Sequence, residues 1–140
     1  DAFESTVSTI IAIMLTVIIS FVGVSSAGIG TKANPMQDSR IDVVKSQQIF
    51  KDYTVTYGEC LDNKCTDPEW TIFSSSDKKK VVEFNGNVVY NNMNSSLKIQ
   101  FVYNDSDDYW ALSYMALNGT AMDSNGAALL LNYLCSDYFN

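Results

Sequence analysis

The chain has 140 residues, with 9 Lys+Arg against 16 Asp+Glu and a net charge of −7 at pH 7. That length suits one domain with a modest core, and the acidic balance argues against nucleic acid as a partner, because phosphates reward Lys and Arg. There is no histidine, so the commonest general base, metal ligand and pH switch are all missing.

The first element is apolar. Ser5 to Thr31 carries no charged residue, and Glu4 stands directly before the run. A helix from Ser5 to Ser26 would be roughly 30 Å long, the thickness of a bilayer's hydrocarbon core. Its apolar residues lie all round the helix rather than along one stripe, so it needs lipid or other helices on every side. We assign residues 1–30 to a polymerisation or transmembrane helix. A secretory signal would need a basic leading region and an A-x-A site, and neither is present. Asp1 and Glu4 carry the wrong sign for an anchor whose amino end stays in the cytoplasm. The chain begins at Asp1 rather than Met, which we read as loss of an upstream segment, by processing or in preparation.

Residues 31–140 are expected to form a β-rich head, so the fold class is α+β: a long hydrophobic helix, then an antiparallel sheet with a short C-terminal helix. The small residues of "GVSSAGIGTKANP" make a hinge. In "SRIDVVKSQQIFKDY" Ile41, Val44 and Gln48 recur at helical spacing, which predicts an amphipathic helix over about 39–53, capped by Ser39. From Thr54 the period becomes two. "YTVTYGEC" and "EWTIFSSS" read as strands, "KKVVEFNGNVVYNN" as two strand runs about an Asn85-Gly86 turn, and "SLKIQFVYNDSDDYWALSYMAL" as a hairpin turning over Asn104 to Asp108. Four to six strands result. "SNGAALLLNYLCSDYF" returns to a helix, with Leu129, Leu130, Tyr133 and Leu134 close on one face. Lys78, Lys79 and Lys80 form a solvated run beside a turn.

Candidate chemistry is sparse. The chain has no G-x-S-x-G, no glycine-rich phosphate loop and no histidine to activate a serine or cysteine. We expect no enzyme, no cofactor and no metal site. Of the three cysteines, Cys60 and Cys65 bracket "LDNK", read as a turn, and can close a small disulfide loop in an oxidising compartment; Cys135 is the alternative partner. The carboxylates of "DNKCTDPE" and "NDSDD" do not match a calcium loop and are read as turn chemistry. Asn94, Asn104 and Asn118 head N-x-S/T triplets and are candidate glycosylation sites. Trp70, Phe84, Tyr90, Phe101, Tyr103, Tyr109, Trp110 and Tyr114 could form a carbohydrate platform, but their alternation on strands favours core packing.

The run "TVSTIIAIMLTVIIS", with Glu4 ahead of it, resembles the amino-terminal segment of type IV pilins and their archaeal relatives. The resemblance covers about the first quarter of the chain. Bacterial members typically start on an aromatic residue and carry Glu at the fifth position, where this chain has Asp1 and Glu4; archaeal members often lack that glutamate. The bacterial and archaeal branches both stay open. The resemblance implies a structural subunit of an extracellular filament, made as a cytoplasmic-membrane precursor, cut by a leader peptidase and polymerised by pilus assembly machinery. Its partners are then further copies of itself, in a heterologous, non-closing contact, serving adhesion, motility or surface contact. On that reading the helix interface is Val7, Ile10, Ile11, Ile13, Met14, Leu15, Val17, Ile18 and Phe21. Glu4 pairs with a neighbour's amino terminus, or else favours its own helix dipole. The alternative is a minor pilin or a single-span anchored adhesin or binding module that forms no filament. An anchored hydrolase using acidic residues is the third reading, and no substrate is suggested for it.

Overall fold

A computed structural model describes residues 38–139. The predicted helix over 1–30 and its interface residues lie outside the described residues. The described residues form an α+β head, with a five-stranded antiparallel sheet and a C-terminal helix.

The first helix, α1, runs Ser39–Lys45 and is capped by Asp38, whose carboxylate accepts from the Arg40 amide at 2.9 Å. The expected cap, Ser39, is the first helical residue instead, and the helix stops well short of residue 53. The reason is rotational. At about 100° per residue, a continuing helix would carry Phe50 to the side opposite Ile41. The chain instead reverses. Gln48 bridges Thr56, the Ile49 amide donates to the Val55 carbonyl at 3.2 Å, and Ile49, Phe50 and Val55 all reach the core.

"YTVTYGEC", expected as a strand, is helical over its second half. Helix α2 spans Tyr57–Lys64 and starts at Thr56, whose hydroxyl accepts from the Glu59 amide at 3.2 Å. The Thr56 hydroxyl also donates to the Glu59 carboxylate, so the T-x-x-E pair holds the start of the helix through both side chains. "LDNK" is therefore part of a helix and not a turn.

Strands β1 (Thr66–Ser74), β2 (Lys80–Tyr90), β3 (Met93–Asn104), β4 (Tyr109–Leu117) and β5 (Thr120–Ala121) pair in sequence order as a meander. The β3–β4 hairpin turns over residues 105–108, as the sequence suggests. The β2 region differs. No turn forms at Asn85-Gly86; one strand passes straight through, and the chain reverses at Asn91 and Asn92, with φ of 53° and 62°. Two consecutive left-handed residues make the tight turn whose twist suits a hairpin, and Asn tolerates that conformation better than most residues.

Helix α3 (Ser124–Leu134) is capped by Asp123, which accepts from the Gly126 amide at 2.8 Å. A short 3-10 turn, Ser136–Tyr138, then brings Phe139 against Phe50 and Tyr53. The helices bury Val44, Leu61, Ala127, Leu130, Leu131 and Leu134 against Ile72, Phe84, Ile99, Phe101 and Leu112 of the sheet. Trp70 and Trp110 join this core, while Tyr90 and Tyr103 pack against it, which is the packing role the alternation suggested. The opposite parity of the strands behaves differently. Phe73, Val81 and Ala116 are buried but lie outside that cluster, beside the buried polar residues Thr71, Glu83 and Gln100.

Candidate functional site

Two places on the head gather reactive or recognition-competent groups. The first is a set of thiols where α2 meets the end of α3. Cys60 lies inside α2, Cys65 is its C-terminal cap and Cys135 caps α3. The Cys135 thiol donates to the Cys60 sulfur at 3.0 Å, and both residues are fully buried. Cys65 points elsewhere. Five residues of helix separate it from Cys60, about 140° around the axis, and its amide is held by the Leu61 carbonyl at 3.0 Å. Its Cβ packs so close to the β2 backbone that a Cβ on Gly86 would stand only 3.1 Å away. Burial pushes the Cys65 thiol up to about 12, and the contact with Cys60, followed by burial, holds the Cys135 thiol well above the ordinary thiol range. All three are unbridged in this structure.

The second place is a cleft of about 620 Å³ between the C-terminal end of α3 and the β2–β3 ribbon. Thr66, Asn87, Asn94, Ser95, Ser96 and Tyr133 contribute amides and hydroxyls. Tyr133 is fixed there, because its hydroxyl donates to the Val89 carbonyl at 2.9 Å and its ring meets Tyr90 edge-on at 5.1 Å. Lys64 at the rim is paired with Asp137. Such a lining can hydrogen-bond a neutral polar ligand. Its described lining contains no carboxylate.

Several acids of the two acidic stretches are engaged by the fold, and "DNKCTDPE", expected as a turn, is the end of α2 and the start of β1. Asp62 accepts from the Trp70 indole at 2.8 Å and pairs with Lys45 at 2.9 Å, while the Lys45 ammonium sits 5.6 Å from the Trp70 ring centre. Asp108 accepts from the Tyr103 hydroxyl at 2.6 Å, and Asn104 accepts from the Ser106 amide at 2.9 Å, closing the β3–β4 turn. Among the described residues, no group of three His, Cys, Asp or Glu converges on a metal position. Nor is any helix of those residues long and apolar enough to cross a membrane.

The three sequon asparagines are all exposed. Asn94 lies at the cleft, and Asn104 ends β3. Asn118 occupies the β4–β5 turn with φ 53°, where its side-chain oxygen accepts from the Ser96 amide at 2.9 Å. Of the thiol pairings open to the sequence, the geometry brings together Cys60 and Cys135. The structure adds one polar cluster that the sequence reading does not contain. Glu83, on the sheet face outside the helix-side core, accepts from the Gln100 and Asn85 amides, each at 2.8 Å. The signal for it lies in "VVEFNG": Val81, Glu83 and Asn85 share one parity of the strand.

No protein-family model matches the chain, and no match was found among curated proteins or among solved structures.

Proposed function

We propose that the protein is a structural subunit of an extracellular type IV-like filament, polymerising through its N-terminal apolar stretch while the head forms the outer surface. One observation carries this reading. The described residues supply a helix-and-sheet core of their own, drawn from α1, α2, the sheet and α3, while the sequence places an uncharged apolar run from Ser5 to Thr31 ahead of it. On this reading that run is buried outside the head. Each large apolar side chain left in water forfeits about 1.5–3 kcal/mol, so the run partitions into lipid or into a bundle of its own copies. Small residues at Ser8, Thr9, Ser20, Gly23, Ser25 and Gly28 permit close approach of helix backbones in such a bundle.

The test is electron microscopy of filaments sheared from cells displaying the chain abundantly, with the chain identified in them by mass spectrometry. Filaments built of this chain are expected, and a Glu4→Ala variant should assemble poorly. An abundant chain that remains in the membrane and never enters filaments would reject the proposal. It would leave the second reading, an anchored binding module, which the hydroxyl- and amide-lined cleft favours.

A further inference from the structure

We propose that the head carries one disulfide, between Cys60 and Cys135, with Cys65 kept as a spare thiol that takes part in no bridge. Three observations converge on this pairing. The two sulfurs already face each other at 3.0 Å across the junction of α2 and α3. Cys65 is turned away around the same helix and is wedged against β2 at Gly86, so a Cys60–Cys65 bridge would require the last turn of α2 to unwind and the Cys65–Leu61 backbone bond to break. Finally, the paired cysteines are 75 residues apart and enclose all five strands. A bridge there ties the start of the sheet domain to its end, where a cross-link restricts the unfolded chain far more than a short loop does.

The bond forms by exchange with a disulfide-bearing oxidant. One cysteine thiolate attacks the oxidant's disulfide, making a mixed disulfide and releasing the first thiolate. The second cysteine thiolate then attacks the cysteine sulfur of that mixed disulfide, which forms the Cys60–Cys135 bond and releases the second thiolate. The two protons from the cysteine thiols end on the two released thiolates, and the two electrons reduce the oxidant to a dithiol or two thiols. Because Cys60 and Cys135 are fully buried in the closed head, this exchange precedes the final docking of α3 on α2.

The experiment uses the full chain, refolded in detergent micelles with oxidised and reduced glutathione. The folded fraction is denatured without reductant, alkylated, digested and analysed by mass spectrometry. Of the three cysteines, one per chain should be alkylated, at Cys65, and a cross-linked peptide should join Cys60 to Cys135. The Cys65→Ser and Cys65→Ala variants should keep that cross-link. Three alkylated thiols in the folded fraction, a Cys60–Cys65 or Cys65–Cys135 peptide, or loss of the cross-link in both Cys65 variants would overturn the assignment.

Discussion

Glu83 and Gln100 face each other across β2 and β3, and the Gln100 amide donates to the Glu83 carboxylate at 2.8 Å. Both are nearly inaccessible, at 6% and 1% exposure. A buried carboxylate must be solvated by the protein, and here Gln100 and Asn85 do this directly. Lys98 adds a charge at 4.0 Å.

Replacing Gln100 by Ala should destabilise the head by about 1.5–3 kcal/mol, the range for a hydrogen bond to a charged group, as read by urea denaturation. A loss under about 0.5 kcal/mol would mean that the contact contributes nothing. Gln100→Glu is the sharper variant. It sets a second carboxylate against the first, and two such groups cannot both stay ionised cheaply. One of the pair then binds its proton more tightly in the folded state than in the unfolded chain. The variant should therefore gain stability as pH falls from about 7 towards 5. If its urea midpoint does not move over that range, the two side chains do not face each other.

Asp38 gives a pH dependence of opposite sign. Its hydrogen bonds with the Arg40 side chain hold its carboxyl down from the ordinary 3.8 to about 2. The charged form is thus favoured by folding. Its contribution is complete above about pH 4 and disappears as pH falls from about 4 to about 2. Asp38→Asn keeps an acceptor for the helix cap but cannot titrate, so its stability should fall less steeply over that window. Parallel curves for variant and parent would remove Asp38 from the acid response. Asp38→Ala loses the cap as well and should cost about 1 kcal/mol at neutral pH.

Gly86 is the most misleading residue in the sequence. Asn85-Gly86 is a strong turn signal, yet the chain continues as a strand there, because the glycine serves packing and not a turn. A Cβ at this position would lie 2.8 Å from the Phe84 ring and 3.1 Å from the Cys65 Cβ. Gly86→Ala should destabilise by about 1–3 kcal/mol through overpacking. The double variant with Phe84→Leu should lose less than the sum of the two singles, since trimming the ring relieves the closer of the two clashes. Strict additivity in that double-mutant cycle would show that Phe84 and Gly86 do not compete for space.

Elements with one strong local signal are legible in the chain. The β1 run "WTIF" is aromatic and β-branched, the β3–β4 hairpin has an acidic turn, and the leucines of "ALLLNYL" mark α3 as a helix, although its buried face is Ala127, Leu130, Leu131 and Leu134 and the expected Leu129 and Tyr133 are exposed. Outcomes decided by tertiary contacts stay hidden. Ile49 and Phe50 fit helical spacing locally, which extends the expected helix past the true end of α1, but they reach one core with Ile41 only if the chain reverses. Tyr, Val and Thr favour strands, and in α2 that preference is overridden by the short T-x-x-E signal of Thr56 and Glu59. The Cys60–Cys135 contact is not fixed by spacing alone, since it depends on how α3 returns over α2.

Filament assembly through the apolar run requires that residues 38–140 fold without it. The core of the head is already continuous from Ile41 to Cys135, and each helix has a side-chain cap within this span, at Asp38, Thr56 and Asp123. On the sheet face outside that core the buried polar groups Thr71, Glu83 and Gln100 lie between Phe73, Val81 and Ala116. We expect residues 38–140 to be monomeric without detergent and to unfold in one cooperative transition with coincident near- and far-ultraviolet circular dichroism. The full chain should instead need micelles or form polymers under the same conditions. A fragment with strand signal but no near-ultraviolet signal would be a compact state without fixed packing. The first 37 residues would then be part of the head's own core, and their role as a separate polymerising element would have to be abandoned.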